Sequence, residues 1–174
     1  MHSSQSCARC DLFQIDLSYQ NRGARDFAGA RIRQSDLSLA TADRARFSGA
    51  NMSLANLFGT RLLGADLTNA NLDHATLVGA YFGGARLGGA TLAGANLSGA
   101  ELDNATGLTQ TQLNAACGDS STSTRWPDDP ELLNLTRPIQ CGGDVGQHHA
   151  LKALRHMVVV IAVIRLNAIR DARF

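Results

Sequence analysis

The sequence predicts an all-β solenoid, because one residue pattern recurs every five positions through more than half of its 174 residues. The central positions of these units are every fifth residue from 12 to 102, and seventeen of the nineteen are large and apolar. The position two before the centre is Ala in thirteen of the fifteen units centred from 32 to 102. A period of five suits neither an α-helix nor a plain strand, so each unit is expected to form a short extended side and a corner.

Side-chain alternation decides which residues of a unit face inward. In "ANLSG" (95–99), Leu97 and Ala95 share a face because positions two apart in extended backbone point the same way, whereas Asn96 and Ser98 point outward. Gly recurs at the fifth position, where it supplies the positive φ that tight corners often need. The central pattern is interrupted at Arg22 and Ala42, so we expect an irregular N-terminal end with a bulge or distorted corner within residues 19–27.

Several units resemble the A(D/N)LXX unit of the pentapeptide-repeat family: "SDLSL" (35–39), "ADLTN" (65–69), "ANLDH" (70–74) and "ANLSG" (95–99). The resemblance covers roughly residues 8–105. It implies a right-handed quadrilateral parallel β-helix with four units per coil. The residues that follow the repeat predict a C-terminal loop and an α-helix. About five coils fit into residues 5–105, which gives a rod roughly 24 Å long at the usual strand spacing.

On this geometry, residues twenty positions apart stack into four inward columns. The first column contains Leu17, Leu37, Leu57, Leu77 and Leu97, and the second contains Leu12, Ile32, Met52, Leu72 and Leu92. The third contains Cys7, Phe27, Phe47, Leu67 and Leu87, and the fourth contains Arg22, Ala42, Leu62, Phe82 and Leu102.

The charge balance separates two functions that the resemblance suggests. The best-known activity that it implies is a rod that mimics DNA and occupies DNA gyrase, which requires a strongly negative surface. Residues 5–105 carry nine Arg and nine acidic residues, and no basic stripe with interleaved aromatics indicates nucleic-acid binding. We therefore expect a structural scaffold or protein-interaction module with an unknown protein partner. The DNA-mimicking inhibitor or protector of gyrase is the alternative.

No motif in the sequence indicates an enzyme, so no catalytic residue, cofactor or metal ligand is expected. Cys7 and Cys10 form a C-x-x-C pattern that permits a zinc site, a disulfide or two small core residues. No second C-x-x-C completes a zinc site, and the register places both residues inward. We expect two core residues. His74, His148 and His149 are expected at the surface.

Residues 106–149 are expected to cap the rod and then form a loop. "TQTQLNAA" (109–116) predicts a short helix whose N-cap is Thr109 or Thr111. Cys117 and Cys141 bracket the loop, and a disulfide between them would stabilise the fold by about 3 kcal/mol. Two free thiols are the alternative. The stretch also resembles a tail of proteobacterial pentapeptide-repeat proteins that ends at a Cys, although this chain continues beyond Cys141.

The last segment, residues 150–174, is basic, with a net charge of +4, and contains the apolar run "MVVVIAVI" (157–164). Arg155 and Arg165 bound only nine residues, which is too short to span a bilayer. Three structures fit: a helix packed on the rod or in a homodimer, a helix on a membrane surface, or an extra strand. We favour a homodimer formed through Val158, Ile161 and their neighbours.

Two features of the sequence bear on localisation. "MHSSQSCARCD" (1–11) lacks the apolar region of a secretory signal. Paired Cys residues and the Cys-bearing tail favour an exported or periplasmic protein, which would need a start upstream of Met1. Otherwise, the protein is expected in the cytoplasm.

Overall fold

The computed structural model describes residues 6–118 and residue 122, all of which belong to the first of two compact units, Met1–Cys141. Within these residues, the β-structure consists of one-residue parallel bridges. They run from Asp11↔Arg31 to Asn96↔Cys117. All but the last pair a residue with the residue twenty positions later, and Asn96↔Cys117 spans twenty-one positions. One coil therefore contains four five-residue units, and the cross-section is four-sided.

Every corner from residue 9 to residue 104 is a type II turn. The carbonyl of the central residue accepts a hydrogen bond from the N–H three residues later, as Leu72 does from Ala75 at 3.0 Å. The third residue of each turn has φ between 53° and 70°, the left-handed region that type II turns require. Nine of these twenty corner residues are Gly and eleven are not, so the repeat imposes this conformation whatever side chain stands there.

The irregularity expected within residues 19–27 does not occur, and that prediction was wrong. The bridges Asn21↔Thr41 and Asp26↔Arg46 keep the twenty-residue register, and Ala24 has the corner conformation with φ 53°. The ladder is made of backbone hydrogen bonds, so an unusual side chain at Arg22 leaves it intact.

The core lies along the axis of the coil. All five residues of the first predicted column are buried, and so are the Ala residues two positions before the centres from Ile32 onward. The rings of Phe27 and Phe47 stack in the third column with centroids 5.1 Å apart. Ser35 and Thr60 replace Ala and donate hydrogen bonds to the carbonyls of Leu12 and Leu37 (2.6 and 2.7 Å), which satisfies their buried hydroxyls.

Helix α1, Gln110–Ala115, covers the C-terminal end of the coil. Its N-cap is Thr109, one of the two predicted candidates, and Thr109 forms a capping box with Gln112. The Gln112 side chain also donates to the carbonyls of Leu87 and Ala90 at 3.1 and 2.7 Å, and Leu113 is fully buried. The helix thus seals an end that would otherwise expose the core.

The cysteines correct one prediction and leave another untested. Cys7 and Cys10 form a disulfide rather than two separate core residues, and both are half-buried. They are the first and last residues of one turn, which brings their Cα atoms to 5.1 Å, within the range of a disulfide. Cys117 is buried and disulfide-bonded. Cys141 lies outside the described residues, so the pairing Cys117–Cys141 stays a prediction.

Candidate functional surface

The outward Asp and Asn residues of the repeat support the backbone. A side-chain oxygen at this position accepts a hydrogen bond from the N–H two residues later, as Asn96 does from Ser98 (3.0 Å) and Asp26 from Ala28 (3.0 Å). This Asx-type bond braces the start of the corner. It gives a physical reason for the D/N position of the repeat, which the sequence pattern alone did not supply.

Charged residues stack in register along one outward face. Asp26, Arg46, Asp66 and Arg86 are joined by successive bridges, as the twenty-residue fold predicts. Within this column, Arg46 pairs with Asp26 at 3.4 Å and Arg86 with Asp66 at 4.0 Å. Both guanidinium groups are largely exposed, so each pair contributes at most about 1 kcal/mol.

Asp66 is the carboxylate of this column whose ionised form is stabilised by the largest number of neighbouring groups. Burial raises the pKa of Asp66, but hydrogen bonds from the Thr68 hydroxyl (2.6 Å) and backbone N–H (3.1 Å) lower it, as do the charges of Arg86 and Arg46. The net effect is a pKa below the usual value. Asp66 therefore stays ionised at neutral pH and serves as a structural anion.

Three arginines occupy one corner near the N-terminal end, which we call the arginine corner: Arg22, Arg25 and Arg44. Arg22 stands at a central position and Arg25 stands where most units have Ala; both are half-buried. The N–H of Arg25 donates to the Arg22 carbonyl at 3.3 Å, so one turn holds both. Arg44 lies on the corresponding corner of the next coil and is exposed. The sequence pattern flagged Arg22 alone; Arg25 could have been found from its break in the Ala position.

Large apolar side chains are exposed beside the same end of the coil. Phe13 is 48% exposed and Tyr19 is 50% exposed, and Ile15, which stands in the Ala position, is also exposed. Leu63 and Tyr81 are exposed further along the rod. The apolar surface among the described residues is therefore concentrated in the first coil.

Corner side chains lean over the glycine of the following coil. A Cβ built on Gly94 would lie 2.8 Å from Cε1 of His74, and one on Gly59 would lie 2.7 Å from a methyl carbon of Leu39. His74 is exposed, as expected, and it packs over backbone. No group of three or more His, Cys, Asp or Glu residues within the described part is arranged to hold a metal ion. His148 and His149 lie outside that part.

No helix among residues 6–118 has the length and apolar character needed to cross a membrane. The predicted interactions of residues 150–174 with a membrane surface or a second copy concern residues outside the described part.

Sequence comparison identifies the repeat. The family model for pentapeptide repeats (8 copies) matches residues 26–59, 50–89 and 80–116, which together make up more than half of the chain. Proteins built from these repeats form right-handed quadrilateral β-helices, which confirms the predicted fold class. No curated protein matches the sequence significantly.

Solved structures with the same repeat are similar to this chain. A pentapeptide repeat protein from the Arabidopsis thaliana thylakoid lumen is 26% identical, with coverage of 68% of this chain and 70% of that chain and a TM-score of 0.42. One from Nostoc PCC 7120 is 30% identical, with coverage of 66% and 77% and a TM-score of 0.42. Full-length QnrB1, a plasmid-mediated fluoroquinolone resistance protein, is 17% identical, with coverage of 64% and 81% and a TM-score of 0.32.

Proposed function

Since the chain belongs to the pentapeptide repeat family, we propose that it is a rigid, non-enzymatic scaffold that binds a protein partner through an outward face. The observation that carries this proposal is the register of the outward side chains. From residue 11 to residue 106, bridges spaced twenty residues apart align them in columns, so each face presents a fixed pattern of groups at the coil spacing.

The use of the outward carboxylates supports the same proposal. Asp26, Asp36 and Asp66 each accept a hydrogen bond from the backbone of their own corner. Carboxylates that brace turns in this way are committed to structure, and their regular placement makes the frame stiff. A stiff frame loses little conformational entropy when it binds, which favours a role in recognition.

Site-specific photo-crosslinking in the source cells tests this function. A photoreactive residue is placed in turn at Arg86, Thr91, Asn96 and Glu101, which are successive outward positions on the four faces of one coil. We expect one face, or two adjacent faces, to crosslink one defined protein. Buried Ala95 is the control position, where no crosslink should form. Equal crosslinking to many proteins from all four faces would contradict the proposal.

The charge of this chain supports a scaffold better than it supports a gyrase-directed DNA mimic. Nine Arg and nine acidic residues leave residues 5–105 with no net charge, whereas duplex DNA carries one charge per ~1.7 Å of axis. We expect no inhibition in a DNA supercoiling assay with purified gyrase and no protection of gyrase from a quinolone. Inhibition at stoichiometric concentrations would favour the mimic instead.

The proposed scaffold also forms a homodimer through residues 150–174. An apolar run such as residues 157–164 is normally buried, and association with a second copy would cover it. Light scattering should show a dimer for the intact chain and a monomer for a chain that ends at Gly146. Binding of the intact chain to anionic vesicles, without dimerisation, would assign the segment to a membrane surface.

A further inference from the structure

We propose that the arginine corner (Arg22, Arg25 and Arg44) is the docking site for an acidic segment of a protein partner. The inference rests on the proposed scaffold function and names the chemistry of the partner. Two of its three residues stand at inward positions where other units have Leu or Ala. A residue that breaks the local pattern of a repeat without an evident structural gain points to a functional role.

Among the described residues, the guanidinium groups of the corner have no anionic partner. Within the described residues, ion pairs join Arg31, Arg46, Arg61 and Arg86 to carboxylates, and none involves Arg22, Arg25 or Arg44. Nη2 of Arg22 donates to Oε1 of Gln20, while Nε of Arg22 is buried without a hydrogen-bond partner. The Nε and Nη2 edge is one of the two edges of an arginine that can hold a carboxylate with two parallel hydrogen bonds. In Arg22 a neutral amide occupies half of that edge.

The two carboxylates nearest in sequence are committed elsewhere. Asp26 follows Arg25, but its oxygens take the N–H of Ala28 (3.0 Å) and the guanidinium of Arg46 (3.4 Å). Asp43 precedes Arg44, but its oxygens take the N–H of Leu63 (3.1 Å) and the guanidinium of Arg61 (2.8 Å). The positive charge of the corner is therefore left for an external anion.

A small side chain in the next coil, Ala42, lies beyond Arg22 in the same inward column. Ala42 follows Arg22 in the fourth column, is fully buried and is much smaller than the Leu62 beyond it. The two exceptions to the central apolar pattern thus lie one above the other. We interpret Ala42 as the space that admits the stem of Arg22, because an arginine stem packs well against apolar surface.

The arrangement of the charges favours an acidic peptide over a small anion. The Ala24 N–H donates to the Asp43 carbonyl (2.7 Å), which places Arg44 one coil further along the rod than Arg22 and Arg25. Cγ of Arg44 lies 3.7 Å from a Cβ built on Gly64, so the Arg44 stem reaches toward the following coil. Charges spread over coil spacings of about 4.8 Å suit carboxylates distributed along a chain.

Fluorescence anisotropy with the full-length protein tests the site. The probe is a labelled peptide of alternating Glu and Ser, and the same peptide with Gln in place of Glu is its uncharged control. Arg22→Leu and Arg25→Ala restore the repeat residues, so the double variant should fold at least as stably as the unsubstituted protein. We expect it to bind the Glu peptide at least about tenfold more weakly, since a hydrogen bond to a charged group contributes about 1.5–3 kcal/mol.

Arg33→Ala is the matched control. Arg33 is exposed, lies in the turn from Ile32 to Ser35 and not at the arginine corner, and forms no ion pair among the described residues. It should change the affinity less than about twofold at physiological ionic strength, where distant charges are screened. An equal loss in Arg33→Ala, or no binding of the Glu peptide by the unsubstituted protein, would overturn the docking site. Inorganic phosphate that binds with the same dependence on Arg22 and Arg25 would also overturn it, in favour of a small-anion site.

Failure of this inference is distinguishable from failure of the scaffold function. If a partner still crosslinks to one face of the Arg22→Leu, Arg25→Ala variant, the docking site at the arginine corner is contradicted. The scaffold function is then still supported.

Discussion

The two ends of the rod solve the same backbone problem with different residues. Of the eight corner residues from 9 to 44, only Gly29 is a glycine, whereas eight of the twelve corner residues from 49 to 104 are glycines. Both sets adopt positive φ, which is unfavourable for residues other than Gly by about 1–2 kcal/mol. The N-terminal corners are therefore strained, while most C-terminal corners are relaxed.

The buried core positions and the surface charges also differ between the two ends of the rod. Residues 51–105 fill every central position with buried Leu, Phe or Met, whereas the first coils contain Arg22, half-buried Leu12 and the Cys7–Cys10 disulfide. Residues 6–50 contain seven Arg and five acidic residues, and residues 51–105 contain two Arg and four. We therefore expect the C-terminal coils to be the more stable part of the rod and the N-terminal coils, which carry most of the arginines, to be the less stable part.

Truncation of a central leucine should separate the two regions most strongly. Leu77→Ala removes a fully buried side chain and should cost about 2–5 kcal/mol of unfolding free energy, as large-to-small core changes do. Leu12→Ala should cost less than half as much, because Leu12 is only half-buried. Chemical denaturation measures both. Thr76→Ala, the outward neighbour of Leu77, is the control and should cost under about 0.5 kcal/mol. Equal losses at Leu77 and Leu12 would contradict the comparison.

Exchanging corner residues between the regions should have opposite effects. Gly79→Ala should destabilise the protein by about 1 kcal/mol, because φ is 63° and a new Cβ would meet no atom within 4 Å, so only the backbone conformation resists. Ala24→Gly, at φ 53°, should be neutral or stabilising by up to about 1 kcal/mol, since relief of strain opposes the greater freedom of Gly in the unfolded chain. Thermal unfolding compares the two. Destabilisation of similar size in both variants would show that the corners are equivalent.

The smallest change in unfolding free energy is expected from removal of the charge of Asp66. The folded pKa of Asp66 lies below its unfolded value of about 3.9, so its ionised form stabilises the fold above that pH, and this contribution is lost as the pH falls through the folded pKa. Asp66→Asn should therefore cost up to about 1 kcal/mol at pH 7 and progressively less below about pH 4. Thr68→Val should raise the pKa of Asp66 toward its usual value in an NMR titration. A cost of Asp66→Asn that does not vary with pH would contradict this account.

Most of the fold could be predicted from the sequence, because a repeat makes many weak signals agree. The inward columns follow from strand alternation and a period of twenty, and the bridges obey it even at Asn21 and Asp26, where a bulge was expected. The corner conformation at Arg9, Tyr19 or Leu39 could not be read from local preference, since it is imposed by the neighbouring coils. Only part of the candidate site could be predicted from the sequence. Arg22 interrupts the apolar pattern of central positions, so the sequence reveals it. The ion pairs of Asp26 and Asp43 with other arginines could not be predicted, because they depend on side-chain geometry.

Hydrogen exchange at two matched amides tests most directly the claim that the N-terminal coils are the less stable part of the rod. The N–H of Thr41 donates to the Gln20 carbonyl and the N–H of Glu101 donates to the Ala80 carbonyl, both at 2.9 Å and on the same face. They join the outermost pairs of coils at the two ends, so hydrogen-bond length and face are held constant. The account predicts a lower opening free energy at Thr41 than at Glu101, and an increase at Thr41 alone in Arg22→Leu. Equal protection of the two amides in the unsubstituted protein would contradict it.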